Sequence, residues 1–267
     1  MYDMKFIAGL IIFFFLCGVS SAEVNISMWQ VVKSDHFIVY YQEAPPGYID
    51  EFITKAEGYY NTIVTELGFT RFEGFWLWDK RCKIYIYKSI KEYQKATGQP
   101  AWSGASTSIS KRTISTLLYK NDFIDITLPH EMGHLIFREF IGAKTYLPLW
   151  LDEGIACLQE KTYQRNRLAS AKGLIASGFF IPLEKLSRIR GDTLMMPNTF
   201  YAESVSIVEF LLKRYGKNKF VDFCRSLRDN KGDWRAVLTG SYKFKDLSEM
   251  NDEWMKYLNE SYCPDNS

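Results

Sequence analysis

Three histidines, His36, His130 and His134, are all that the 267 residues contain, so imidazole chemistry has few places to reside. Two of them stand in the run His130-Glu131-Met132-Gly133-His134, an H-E-x-x-H set. On a helix turning about 100° per residue, positions four apart share a face, so both rings can aim a nitrogen lone pair at one cation. Glu131 sits beside that face, where its carboxylate can take a proton from water instead of ligating. His134 lies about 12 Å along the axis from Gly142, and Glu153 about 8 Å beyond Pro148, at 1.5 Å per residue. Two antiparallel helices joined by the short connection between Gly142 and Pro148 would therefore bring Glu153 level with the histidines. His130, His134 and Glu153 as metal ligands leave a fourth tetrahedral position open, which is the catalytic and not the structural form of a zinc site. Zn2+ held there would bring the pKa of a water toward about 7 and polarise a peptide carbonyl. Glu131 would act as general base and pass the proton on to the leaving amine. The expected reaction is hydrolysis of a peptide bond in a peptide or protein substrate without a covalent intermediate.

The surrounding pattern must position these groups. Thr127 or Asp125 can cap the H-E-x-x-H helix, expected over residues 125–141, with Pro129 in its first turn and Gly142 as its stop. Upstream, residues 36–41 (HFIVYY), 83–87 (KIYIY) and 112–119 (RTISTLLY) read as strands by alternation and by aromatic and β-branched content. Residues 48–67 form a long amphipathic helix, 89–97 a short one, and 102–110 (WSGASTSIS) a polar loop or hairpin arm. Downstream the pattern is helical over 148–165, 201–215, 217–227 and 247–262, with 178–199 the least regular stretch. Strands early and helices late argue an α+β fold: a small mixed or antiparallel sheet with the H-E-x-x-H helix, then a mainly helical lobe. The lobes are expected at residues 23–142 and 143–267, the second carrying Glu153.

Composition narrows the function classes. A hydrophobic content of 47% and a formal charge of +2, from 33 basic and 31 acidic residues, support a globular chain. They give no electrostatic footprint for nucleic acid. Residues 6–19 are a continuous apolar run behind Lys5, followed by Ser20-Ser21-Ala22. This pattern reads as a secretory signal peptide over 1–22, placing the mature protein outside the cytoplasm, secreted or periplasmic, with no stable membrane span after cleavage. The run is shorter than the roughly 20 apolar residues of a spanning helix, which makes an uncleaved anchor the lesser alternative. Cys82, Cys157, Cys224 and Cys263 then permit two disulfides, Cys224 with Cys263 being the preferred pair, or four buried small hydrophobes. Oligomeric state is not legible in the sequence.

His130-Glu131-x-x-His134, followed after 18 residues by Glu153 within Leu147-Pro148-Leu149-Trp150-Leu151-Asp152-Glu153-Gly154-Ile155-Ala156, resembles the gluzincin zinc metallopeptidases. The nearest group is the small peptidase-MA-like one, distantly similar to thermolysin. The resemblance is tight only from Pro129 to Ala156. It implies thermolysin-like zincin architecture, with an edge strand, taken as residues 113–118, lying against an extended substrate. It also implies a tyrosine for the oxyanion, for which Tyr201 is the candidate beside the alternative of a hydrogen-bonded core tyrosine. Phe137 and Phe140 stand where metzincins need a glycine and a third ligand. The Gly-x-Met-Glu-Asn segment of the aminopeptidases is absent, which favours endopeptidase action. Thermolysin-like enzymes place an aspartate four residues after the glutamate ligand, where this chain has Cys157. That substitution leaves open who orients the histidines, and keeps a weak or inactive zinc-binding, peptide- or envelope-interacting protein as the alternative function. Asp152 is either an orienting group or a solvated carboxylate, and His36 is framework.

Overall fold

The computed structural model describes residues 29–70, 76–100, 103–118, 122–230 and 233–261. The expected leader over 1–22 and Cys263, the expected partner of Cys224, lie outside the described residues. In chain order the elements are β1 (Gln30–Lys33), β2 (Phe37–Tyr41), α1 (Tyr48–Leu67), β3 (Cys82–Tyr87), α2 (Ile90–Thr97), β4 (Ala105–Ser108) and β5 (Thr113–Leu117). Then come α3 (Leu128–Ile141), α4 (Leu149–Leu158), α5 (Lys161–Ser177), α6 (Leu183–Leu186), α7 (Pro197–Tyr215), α8 (Lys217–Asn230), α9 (Trp234–Tyr242) and α10 (Leu247–Ser261). The fold is α+β, with a small mixed sheet followed by a run of helices.

The sheet has five strands in the order β1-β2-β3-β5-β4. Its centre is parallel, with Val39 opposite Ile84 and Ile84 opposite Ile114, and both outer pairs are antiparallel. Alternation puts Phe37, Val39, Cys82, Ile84, Ile86 and Ile114 inside, as a period of two requires. These residues share one hydrophobic core with Phe52, Ala56 and Ile63 of α1 and with Met132, Leu135 and Ile136 of α3. β4, not β5, is the edge strand. The expectation that residues 113–118 form the edge is therefore corrected: the hairpin arm 105–108 pairs with β5 through Thr107 opposite Ile114 and takes the outer place. Pairing partners, unlike strand character, cannot be read from one segment.

Three further departures have local causes. β1 escaped detection because its burial is almost uniformly exposed, leaving no alternation to see. The expected capping of the H-E-x-x-H helix is also corrected. Residues 123–127 form a π-helical turn that runs straight into α3, so that the Leu128 N–H bonds back to Phe123 O, and Thr127 makes no side-chain cap. Asp125 instead accepts from Lys55 Nζ and the Tyr59 hydroxyl, both at 2.9 Å. The helix expected over 148–165 is two helices, broken at Gln159-Glu160, where Glu160 adopts φ −80°, ψ 72°. α5 then restarts at once with only Leu168, Ala171 and Ile175 buried, so hydrophobic periodicity marks neither the break nor the restart.

α3 ends at Gly142, whose φ of 93° few other residues tolerate. The turn that follows is held by Thr145 Oγ1 on Ile141 O at 2.7 Å. It returns the chain into α4, nearly every residue of which is buried. α4 lies between α3 and α7, and glycines allow both approaches. A Cβ on Gly133 would sit 3.0 Å from Ala156 Cα, and one on Gly154 only 2.4 Å from Ser204 O and 2.7 Å from Val208 Cγ2. Backbone cannot yield as a flexible side chain can, so Gly154→Ala should cost stability near the top of the roughly 1–3 kcal/mol range for overpacking. Gly173→Ala, in open space on α5, should instead stabilise by roughly 0.5–1 kcal/mol through helix propensity. Denaturant midpoints of the two variants check this opposition of sign.

Among the described residues, Cys82, Cys157 and Cys224 are buried and form no disulfide with one another. No helix among the described residues is long and apolar enough to cross a membrane.

Candidate metal centre

α3 carries His130 and His134 one turn apart, and the Gly142 turn brings α4 alongside so that Glu153 faces them. The three ligand-type atoms converge: His130 Nε2 and His134 Nε2 are 3.2 Å apart, and Glu153 Oε2 is 3.7 Å from each. All three residues are buried. Glu153 Oε2 has no hydrogen-bond partner there, a costly condition for a carboxylate oxygen unless a cation meets it.

The far nitrogens explain the orientation. His130 Nδ1 is 2.6 Å from Glu160 Oε1, and His134 Nδ1 is 3.3 Å from Asp152 Oδ1. A carboxylate at Nδ1 holds the proton on that side and leaves the Nε2 lone pair free to ligate. Two such lone pairs at 3.2 Å repel each other unless positive charge lies between them. Each carboxylate is itself anchored, Glu160 by Arg167 Nη2 at 2.8 Å and Asp152 by Arg138 Nη2 at 2.9 Å and Nε at 3.1 Å. Arg138 also donates to Thr145 O at 2.7 Å, tying the device to the turn between α3 and α4.

The electrostatics agree with a cation site. Burial works against ionising Asp152 and Glu160, but His134 with Arg138, and His130 with Arg167, hold both below the ordinary carboxylate range. Burial alone would lower His134. The negative charge of Asp152, Glu153 and Glu131 overrides it and raises the imidazole to about 9. Glu153 is shifted upward, by burial that the two histidines only partly offset. The field at the convergence point is thus negative. Donor spacings of 3.2 and 3.7 Å bracket those of three tetrahedral ligands about 2.0–2.2 Å from one ion, the range of zinc–nitrogen and zinc–oxygen bonds. The donors therefore fit a small divalent cation with nitrogen and oxygen preference.

Glu131 lies in the first turn of α3, also buried. Its Oε2 accepts a hydrogen bond from the Thr107 hydroxyl on β4, and its Oε1 is buried with no hydrogen-bond partner. Tyr201, near the start of α7, has its ring centroid 5.8 Å from Arg167 Cζ. Burial, with the charge of Glu153 next, pushes its phenol well up. His36 stands apart, with its Nδ1 2.6 Å from Glu57 Oε2 and its ring stacked on Tyr60.

Cys157 occupies a second group with His130 and Glu160 whose ligand-type atoms lie within 4.8 Å of one another. Burial, with the charge of Glu160 next, pushes its thiol well up. Glu160 is already paired with Arg167, and Cys157 lies beside it as a buried neighbour. The carboxylate missing from position 157 is thus supplied from Glu160, three residues later. Glu160, Arg167, Arg138 and Thr107 were not found by sequence reasoning. Only Arg138 carried a signal, four residues after His134 and on its face of the helix.

A model of the Peptidase MA superfamily matches residues 76–260, a span that includes every residue of the cluster and the strand that holds Glu131. No curated protein matches the chain.

Proposed function

The chain belongs to the Peptidase MA superfamily, and from that membership we propose that it is a zinc-dependent metallopeptidase of gluzincin type with a thermolysin-like arrangement of its catalytic lobe. His130, His134 and Glu153 are its metal ligands and Glu131 its general base. The carrying observation is the convergence of His130 Nε2, His134 Nε2 and Glu153 Oε2 with both far imidazole nitrogens tied to anchored carboxylates. Zinc prefers this N,N,O donor set with an open position, and when bound it supplies Lewis acidity to the scissile carbonyl and lowers the pKa of water toward about 7.

The remaining chemistry belongs to the chain. Glu131 takes a proton from the attacking water through Oε1, the oxygen without a partner, and delivers it to the departing amine as the C–N bond breaks. The carbonyl carbon gains the hydroxyl, and the amine gains the proton. Tyr201 donates its phenolic hydrogen to the developing oxyanion. Asp152 and Glu160 keep the imidazoles in register throughout. The alternative of an inert binding protein rested on Cys157 standing in place of an orienting carboxylate and on an unassigned oxyanion donor; Glu160 at His130 Nδ1 speaks against the first of these grounds.

Endopeptidase action is the favoured mode of this reading, since the sequence has no Gly-x-Met-Glu-Asn segment, and export is proposed from the leader-like residues 1–22. The test is metal removal. Protein dialysed against a chelator should lose cleavage of an unfolded protein substrate and regain it with about one equivalent of zinc, read by mass spectrometry of the fragments. Cleavage that persists in metal-free protein would refute the reading.

A further inference from the structure

A carboxylate on a rotatable side chain beside a divalent cation has two fates: it can stay outside the coordination shell and exchange protons, or it can close onto the metal as a further ligand. Glu131 adjoins His130 in sequence, and its charge reaches both His134 and Glu153. Yet its oxygens are not among those that converge with His130, His134 and Glu153. Something holds them back. The Leu128 N–H at the start of α3 is engaged by Phe123 O. The hydrogen bond the carboxylate makes among the described residues comes from Thr107 Oγ1, on the edge strand.

Thr107 is well placed for this. Its backbone is pinned opposite Ile114, whose side chain is fully buried in the core. A β-branched residue on a strand has restricted χ1 freedom, so the hydroxyl has a fixed origin. A hydroxyl donating to a carboxylate makes a charge-assisted bond, stronger than one between neutral groups. With Oε2 tied to β4, Oε1 is left buried without a partner, as a proton acceptor should be before its water arrives.

We propose that Thr107 is a positioning residue for Glu131: its hydroxyl tethers Oε2 to the edge strand and keeps the carboxylate acting as a base instead of closing onto the metal as a fourth ligand. This rests on the metallopeptidase reading above. It adds that the strand forming the open edge of the sheet also sets the state of the general base.

Thr107→Val removes the hydroxyl at nearly constant shape, and Thr107→Ser keeps it. In the valine variant kcat should fall by about 10–100-fold, as expected for a misplaced catalytic group, with KM within about twofold of the parent. The serine variant should recover most of kcat. With cobalt(II) in place of zinc, the visible spectrum of the valine variant should shift as a carboxylate enters the coordination shell. Adding Glu131→Gln to the valine variant should abolish that shift. Circular dichroism melts identify any variant that has not folded, and Thr107→Ala then replaces valine in the same comparisons. An unchanged kcat in the valine variant, an equal loss in the serine variant, or a cobalt spectrum indistinguishable from the parent would each overturn the proposal. The metallopeptidase reading fails separately, on proteins with Thr107 intact, if the parent binds no metal or cleaves without it.

Discussion

Glu160→Ala should weaken zinc binding by about 10–100-fold although Glu160 is not one of the proposed ligands, the usual cost of losing a carboxylate that orients a ligating histidine. Two losses combine in the variant. His130 Nδ1 loses its acceptor at 2.6 Å, so its ring and tautomer are no longer held. Arg167, mostly buried, loses the carboxylate that neutralises it, and an unpaired buried charge is destabilising. Glu160→Gln separates the two, since an amide oxygen still accepts from Nδ1 while the charge is gone. Its zinc affinity should fall between parent and alanine variant. Cys157→Ala removes a neighbour of Glu160 and leaves the carboxylate on His130, so its affinity should stay within about threefold of the parent. Equilibrium competition with a chromophoric chelator measures all three. If Glu160→Ala binds zinc as tightly as the parent, the orienting role assigned to Glu160 is wrong.

The ordering of these variants bears on what the amino-acid sequence discloses. His130, Glu131 and His134 were legible because helical periodicity and residue chemistry are both local: four residues make one turn, and two imidazoles on one face have few other uses. Glu153 was nearly as accessible, since a short connection between two helices leaves little freedom in their relative placement. Glu160 was not, because it reaches His130 only through the helix break at Gln159-Glu160. The residues on either side of that break read as one helix. A carboxylate two turns beyond Glu153 keeps to its face but lies about 10 Å further along a continuous helix, too far to suggest contact with the histidines.

The same distinction separates the strands. β2, β3 and β5 declared themselves by alternation against a buried face, whereas which strand forms the edge depends on pairing. The reassignment of the edge from β5 to β4 matters to the site, since Thr107 and its bond to Glu131 come with it. α9 was missed for a related reason. It is a nine-residue helix with only Trp234, Leu238 and Tyr242 buried, too short for periodicity to stand out. Gly154 was visible as a residue, but its purpose was not. The 2.4 Å approach to Ser204 O joins segments fifty residues apart in the chain.

The variant with the largest expected loss of activity is Glu131→Gln. The substitution keeps the size of the side chain and an oxygen able to accept from Thr107, so packing beneath β4 and the three converging donor atoms should be undisturbed. What it removes is basicity. A general base contributes about 10²–10⁴-fold to rate, and the carboxylates gathered around the two histidines are otherwise engaged: Glu153 is assigned to the metal, and Asp152 and Glu160 are held by arginines and histidines. The loss should therefore appear in kcat, with substrate affinity largely retained.

Zinc content and cleavage of an unfolded protein, measured on the same sample of Glu131→Gln, test the central claim most directly. The account predicts about one zinc per chain, as in the parent, and a kcat lower by about 10²–10⁴-fold. A variant that cleaves as fast as the parent, or one that has lost its zinc, would contradict the assignment of Glu131 as the base beside a metal held by His130, His134 and Glu153.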